Sequence, residues 1–568
     1  MIKIENSSKA RLYFVVLVFF SSSLLLSSGG KLTDSEANST MEPTAGTLSD
    51  AQDPTEVVRN TPTPKSIPFF IGPSDDLPSE GREEIPQSMP HEAMAALSES
   101  TPENTPESTP EGHPTETSEP EASRAEGEDQ NISITTIEEP EEREFISDGN
   151  VFGYEYGEIL EEHGLELMEE VGAGWVRRAG IWWPEVEPVK GSYEWETLEG
   201  YEEEFIRAYR SGLNVILIVR GAPDWAQADP PYNRTCGRIR EDEFASFAKF
   251  MHALVEKYSY APYHVKFWEI WNEPDVDPSL IPLGNEWMGC WGDMNDPYYG
   301  GGYYAELLKA VYPEVKSANP EAQVLVGGLL LDCDPIHVPE HKTDCTPSKF
   351  LEGILRNGGG DYFDGISFHA YDSNHSWLGG YYNSNWHSEA DTTGPVLLAK
   401  VAYLKDLLER YQVSNKDLIN TEAAVLCLYG ELSVCEMTKA YYVVHSYISA
   451  YAVGLKANLW YFWMDRRAGL FKQDLTPLPS LETYSFAQDQ LTNAAYSREV
   501  TDYMPSVRVY EFEREAGHMW VIWSMDGKRH ILSIPSVPDR VRDAFGRTLT
   551  PRSSIEVDSL PLYIEWDD

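Results

Sequence analysis

Val265-Lys-Phe-Trp-Glu-Ile-Trp-Asn-Glu-Pro-Asp275 is a short apolar run that stops in Asn272, Glu273 and Pro274. Its length and its aromatic and β-branched content predict a buried strand, and the proline ends it. Amphipathic stretches at 243–258 and 304–316 flank it and predict helices. The same unit recurs along the chain. Strands are expected at 150–153, 175–182, 214–220, 265–271, 323–331, 365–371, 417–424 and 458–463. Further helical patterns cover 158–170, 202–211, 349–356, 396–411, 437–451 and 483–491. Eight strand-then-helix units over about 350 residues fit an α/β fold, a (β/α)8 TIM barrel with long insertions. A doubly wound open sheet is the alternative, but no glycine-rich nucleotide loop follows the first strand.

In such a barrel the chemistry belongs at the C-terminal ends of the strands. The fourth strand delivers Glu273 there, and the seventh, Leu418-Ile-Asn-Thr-Glu-Ala-Ala424, delivers Glu422. The two lie nearly opposite in strand order, so their side chains can converge across the mouth. Paired carboxylates about 5–5.5 Å apart can cleave a glycosidic bond with retention, one protonating the leaving oxygen and the other attacking the anomeric carbon. Like-charge repulsion is expected to lift the pKa of one above that of the other.

At these residues the chain resembles clan A of the glycoside hydrolases, most closely family 39. The likeness is carried by Trp271-Asn-Glu-Pro274 and Glu422, with Val176-Arg177, Trp182-Trp-Pro-Glu-Val-Glu-Pro188, Gly191-Ser-Tyr-Glu-Trp195, Phe368-His-Ala-Tyr371 and Trp460-Tyr-Phe-Trp463 in support. It extends from about residue 150 to the C-terminus. The resemblance implies that Glu273 is the general acid/base and Glu422 the nucleophile. It also implies that Asn272 bonds the sugar 2-hydroxyl, that Arg177 and Tyr371 hold Glu422, and that Trp463 stacks under the sugar. Trp225, beyond the third strand, joins the expected substrate-binding set. His369 reads equally as a substrate contact or a satisfied core histidine. Glu269, four residues before Glu273, reads as a buried partner of an arginine, and one of Arg177 and Arg178 as a structural ion pair. Asp275 and Asp277 are expected to cap the loop, and Trp175 and Trp268 to lie in the core.

The insertions after the fourth and sixth strands carry Trp287, Trp291, Tyr298, Tyr299, Trp377, Tyr381, Tyr382 and Trp386. Such rings can face sugars, but most of them are expected to pack the loops onto the barrel. Long lids around the mouth favour a pocket that cuts from chain ends. All six cysteines fall after strands on the same face, and Cys236–Cys290, Cys333–Cys345 and Cys427–Cys435 are the favoured pairings of fifteen. Their spacing fits no zinc pattern, so neither metal nor cofactor is expected.

The remaining organisation follows from composition. The 568-residue chain carries 44 Lys+Arg against 93 Asp+Glu, a net charge of −49, which argues against nucleic-acid and anionic-membrane partners. Residues 1–30 have a basic flank, a short apolar run and small residues, the pattern of a signal peptide or a short membrane anchor. Residues 31–144 are acidic and rich in Pro, Thr and Ser, with Thr-Pro recurring from Thr101 to Pro110, and are expected to form a disordered linker. The barrel is assigned to 145–495. Strand patterns at 507–512, 519–523 and 530–534, with Met525-Asp-Gly-Lys528 as a hairpin turn, place a small C-terminal β-domain at 496–568.

The expected protein is a secreted or surface-tethered retaining glycosidase acting on an oligo- or polysaccharide. A β-linked plant or microbial sugar is the expected glycone, with a β-xyloside first by resemblance. A non-catalytic carbohydrate-binding barrel and a transglycosidase are the alternatives.

Overall fold

The computed structural model describes residues 149–228, 237–276, 289, 291–386, 394–428, 430–461 and 468–567. The expected leader and linker lie outside these residues, as do Trp463, Asp277, Trp287, Cys236 and Cys290. Among the described residues no helix is long and apolar enough to cross a membrane.

Eight parallel strands close into a barrel. They are β1 (Phe152–Tyr156), β2 (Trp175–Trp182), β3 (Asn214–Arg220), β4 (Phe267–Asn272), β5 (Gln323–Leu329), β6 (Gly365–Asn374), β8 (Asp417–Leu426) and β9 (Ala457–Tyr461), with a two-residue β7 (Tyr381–Tyr382) hung on β6. The hydrogen-bonded order runs β5-β4-β3-β2-β1-β9-β8-β6, and β5 pairs with β6 to complete the ring. The strands read as continuous apolar runs because both faces are covered. Every residue of β3 and of β4 is buried, between helices outside and side chains within. Trp175, Ile216, Phe267, Leu325, Ile419, Ala457 and Leu459 fill the interior and plug the barrel beneath the mouth.

The outer layer comprises α1 (Leu165–Glu170), α2 (Trp183–Val186), α3 (Glu199–Arg210), α4 (Phe244–Tyr258), α5 (Gly301–Ala318), α6 (Phe350–Arg356), α7 (Leu397–Arg410), α8 (Leu432–Ala452) and α9 (Pro479–Leu491). α4 shows the pattern that seats them: Phe247, Phe250, Met251, Leu254, Val255 and Tyr258 recur at helical spacing and are buried. The expected helix over 158–170 is broken. A short 3₁₀ turn, Glu161–His163, precedes α1, because Gly164 between them has φ +89 and the Phe471 ring occupies the space where its Cβ would stand.

After α9 the chain builds two sheets. The larger runs β10-β11-β12-β17-β14-β15, from β10 (Ala495–Glu499), β11 (Val507–Arg514), β12 (Gly517–Ser524), β14 (Arg540–Asp543), β15 (Thr548–Leu549) and β17 (Leu562–Trp566). The smaller pairs β13 (His530–Ser533) with β16 (Ser554–Val557). The expected hairpin at 525–528 is therefore not one. β12 lies between β11 and β17, and β13 pairs with β16, so the Asp-Gly turn joins strands of different sheets. Turn chemistry fixes a local bend, while the partner of each strand is chosen by burial of its apolar face.

α8 is the contact between the two parts. Every residue from Thr438 to Ala450 is buried, which a helix achieves only when covered on all sides. Its His445 stacks on Trp523 of β12 with ring centroids 4.4 Å apart. Trp523→Ala should lower stability by about 3–5 kcal/mol, read as a shift of the urea unfolding midpoint. An unshifted midpoint would mean the sheet does not brace the barrel.

Candidate active site

Arg177, the third residue of β2, is fully buried and points into the upper barrel. Its Nη2 donates to Glu269 Oε1 at 2.5 Å and to Asn272 Oδ1 at 2.6 Å, Nε donates to Glu269 Oε1 at 3.2 Å, and Nη1 donates to Glu422 Oε1 at 2.5 Å. One guanidinium thus fixes three side chains from β4 and β8. A guanidinium offers only donors, so the atom of Asn272 that faces it is the oxygen. The Asn272 amide NH₂ has no partner among the described residues and remains available. The other Glu422 oxygen accepts from the Tyr371 hydroxyl on β6. The neighbouring Arg178 faces outward and makes a two-pronged pair with Glu204 of α3, at 2.6 and 2.9 Å. Arg177 is the site arginine and Arg178 the structural one.

His369 on β6 stands between the two carboxylates. Its Nδ1 lies 2.8 Å from Glu273 Oε1 and 3.4 Å from Glu422 Oε2. This nitrogen and one oxygen from each glutamate all fall within 4.8 Å of one another. Their donor set is one that could hold a metal ion. Burial pushes the His369 pKa down to about 4, so the ring is neutral. Burial pushes the Glu273 pKa up to about 7, against the pull of Arg177 and Lys400. Like-charge repulsion was expected to separate the two glutamates, but desolvation is the larger cause for Glu273. The 2.8 Å contact between Glu273 and a neutral imidazole closes with the proton on either partner.

The backbone that presents Glu273 is strained. Trp271 has φ +77 and Glu273 φ +47, both left-handed values that side chains rarely adopt. The strain is held by a hydrogen bond from Glu273 N to Gly328 O at 2.9 Å, by Trp271 Nε1 on Gly289 O at 2.9 Å, and by Trp291 set edge-on to Trp271. Asp275, expected to cap its own loop, instead accepts from Leu330 N and Leu331 N beyond β5 at 2.8 and 2.9 Å, tying the two strand ends together. Lys400 of α7 is buried beneath and donates to Leu330 O and His369 O at 2.8 and 2.7 Å, tying β5 to β6. Burial lowers its pKa to about 8.

Other sequence-predicted residues lie further out. Trp225 packs edge-on against Trp183, and its Nε1 donates to Glu187 O at 3.2 Å, so its contacts are with the β2 loop. Trp291 is buried, Tyr299 donates to Val276 O, and Trp386 donates to Leu331 O, so these loop rings anchor insertions. Trp175 and Trp268 are core. Two of the favoured disulfides, Cys333–Cys345 and Cys427–Cys435, are present.

Three participants escaped sequence reasoning. Arg220 ends β3, is buried, and lies 4.4 Å from the Trp182 ring centroid. Burial and Arg177 lower its pKa to about 10. Glu155 is the penultimate residue of β1 and interacts electrostatically with Arg177 and Arg220. Both are charged strand-end residues, a signal that could have found them. Lys400 comes from a helix and gave none.

Among solved structures, a family 39 glycoside hydrolase from the gut symbiont Bacteroides cellulosilyticus is similar at TM-score 0.55 and 20% identity, over 73% of this chain and 81% of that one. A conserved exported protein from Bacteroides fragilis is similar at TM-score 0.50 and 12% identity, over 73% and 96%. A family 39 β-xylosidase from Caulobacter crescentus has TM-score 0.46 and 15% identity, over 74% and 97%. No protein-family model and no curated protein matches the chain. At these identities the first two likenesses establish the shared fold alone.

Gly328 is the position on which this packing can be tested. A Cβ there would stand 2.3 Å from His369 Nε2 and 3.1 Å from Arg177 Nη2. Gly328→Ala should cost about 1–3 kcal/mol of stability, and a crystal structure of the variant should show the His369 ring displaced from Glu273. A ring that stays in place would mean the β5 backbone absorbs the clash.

Proposed function

We propose that this chain is a retaining glycoside hydrolase in which Glu273 is the general acid/base and Glu422 the nucleophile. The observation that supports this reading most directly is the asymmetric pair. One oxygen of Glu273 lies within 4.8 Å of one oxygen of Glu422, with His369 beside both, an approach compatible with the carboxyl separation of about 5–5.5 Å that double displacement uses. Glu422 accepts from a guanidinium on one oxygen and from a phenol on the other. Glu273 has no such cation in direct contact and holds its proton to about pH 7.

The reaction follows from those two states. Glu422 attacks the anomeric carbon while Glu273 gives its proton to the glycosidic oxygen. The bond to the aglycone breaks as the bond to Glu422 forms. Glu273, now ionised, takes a proton from water, and the hydroxide oxygen displaces Glu422 from the sugar. Asn272, its oxygen held by Arg177, offers its NH₂ to the sugar 2-hydroxyl. Trp463 is assigned to the substrate by resemblance, as is a β-xyloside as first candidate, and Trp225 remains in the expected substrate-binding set.

In this reading residues 145–495 form the catalytic unit and 496–568 a sheet that braces it. Residues 31–144 are a tether, and 1–30 an export signal or anchor. The disulfides suit an oxidising compartment.

Two measurements test the roles. In Glu422→Ala, turnover of aryl glycosides should be lost and partly restored by azide, giving a glycosyl azide of opposite anomeric configuration to the substrate. Wild-type protein that binds glycans but turns none over would instead identify a carbohydrate-binding barrel.

The pH dependence has a defined sign. Glu273 must enter protonated, and it loses its proton as pH rises through about 7. The ratio kcat/KM should therefore fall about tenfold per pH unit above that point. Glu273→Gln should slow poorly activated substrates by about 10²–10⁴-fold and abolish the alkaline limb. A limb that survives the substitution would assign the proton to another group.

A further inference from the structure

We propose that Lys400 is a positioning residue for the proton donor of this site: by joining the carbonyls of Leu330 and His369 it closes a circuit of restraints that aims Glu273 at the leaving oxygen. This role rests on the glycosidase reading and adds to it a buried helix residue that acts on proton donation rather than on nucleophilic attack.

Lys400 acts where the ladder between β5 and β6 stops. The last registered pair of those strands is Leu329 with Phe368, reached after a shift in register. The next residue on each side, Leu330 and His369, is buried. Leu330 O and His369 O both accept from Lys400 Nζ, at 2.8 and 2.7 Å. One side chain from α7 thus stands in for the next rung. Lys400 is 3% exposed, and a lysine withdrawn from water to that extent is tolerated where its donors are engaged.

From those two carbonyls the restraints run back to Glu273 by separate routes. On one side, His369 Nδ1 lies 2.8 Å from Glu273 Oε1. On the other, Leu330 N and Leu331 N donate to Asp275, which stands two residues beyond Glu273. Glu273, His369, Lys400, Leu330 and Asp275 therefore form a closed circuit, and Lys400 is the member that comes from a helix. Two features make the acid depend on it. His369 Nε2 is buried without a hydrogen bond among the described residues, so the ring is aimed by the backbone that Lys400 holds. Glu273 and Leu331, on the two sides of the Asp275 bridge, both have φ +47, a left-handed value that such residues leave unless held.

The nucleophile is restrained by other bonds. The Glu422 oxygens accept from Arg177 and from Tyr371, and neither bond passes through Lys400. Opening the circuit should therefore misplace the acid more than the nucleophile, and the two are separable by the aglycone. A good leaving group departs with little help from an acid, whereas an alcohol departs only with its proton.

The test uses the full chain and glycosides of one sugar that wild-type protein turns over, with aglycones from dinitrophenol to simple alcohols. In Lys400→Met, kcat/KM should fall about ten- to a hundredfold on the alkyl glycosides and less than about threefold on the dinitrophenyl glycoside. A loosened fold would weaken both classes alike. Equal losses, a larger loss on the dinitrophenyl glycoside, or wild-type rates on both would overturn the proposal. Should Lys400→Met not fold, Asp275→Asn opens the same circuit on its other side and is judged by the same ratio. If wild-type protein turns over no glycoside, the glycosidase reading fails, and crystal structures of the variant judge the positioning separately. A His369 ring displaced from Glu273 by about 1 Å or more upholds it, and a smaller displacement overturns it.

Discussion

The guanidinium of Arg177 is the interaction around which the mouth of this barrel is arranged. Buried without partners, it would be untenable, because taking a full charge from water costs far more than packing can return. Glu269, Asn272 and Glu422 answer that demand from two other strands. Their geometry is consequently not free to vary. Burial raises the pKa of Glu273 and of Glu155, and the pull of Arg177 on both offsets only part of that rise.

Holding Glu273 opposite Glu422 has its own requirement. The end of β4 turns through left-handed conformations at Trp271 and Glu273, which unsupported side-chain residues avoid. Support comes from the tryptophan pair, from Asp275 and from the Gly328 carbonyl, while Lys400 holds the adjoining ends of β5 and β6. Gly328 serves a second purpose: only a residue without a side chain leaves room there for His369 and Arg177. The polar cluster and the strained turn therefore depend on the same few backbone atoms.

How much of this was legible in the sequence depended on whether a signal was periodic, terminal or tertiary. Apolar runs alternating with helical patterns announced the barrel, since both are properties of consecutive residues. The strand-end rule found Glu273 and Glu422, the family resemblance added Arg177, His369 and Tyr371, and those five are in contact or one residue removed from it. Glu155 and Arg220 satisfy the same rule but lie in no recognisable tripeptide, so they passed unnoticed. Lys400 was beyond reach, because a helix lysine looks solvated until the two carbonyls it meets are known. The turn at 525–528 failed for the same reason in reverse: Asp-Gly states a bend, and the partners of β12 and β13 are set by distant strands.

The C-terminal sheet belongs to the site more closely than its position in the chain suggests. β6 carries His369 and Tyr371, and the next residue, Asp372, accepts from Tyr442 of α8 at 2.8 Å and from Val396 N at 2.9 Å. One turn along α8, His445 stacks on Trp523 and its Nδ1 lies 3.1 Å from the Tyr381 hydroxyl on β7. Tyr381 also meets Tyr442 edge-on. Burial holds His445 neutral, as an uncharged ring between aromatic neighbours must be. Without the sheet, α8 would expose this aromatic face, and the helix that restrains Asp372 would lose its outer wall. A barrel alone can supply two opposed carboxylates. Keeping the β6 residues that touch both of them in fixed positions requires the covered helix behind.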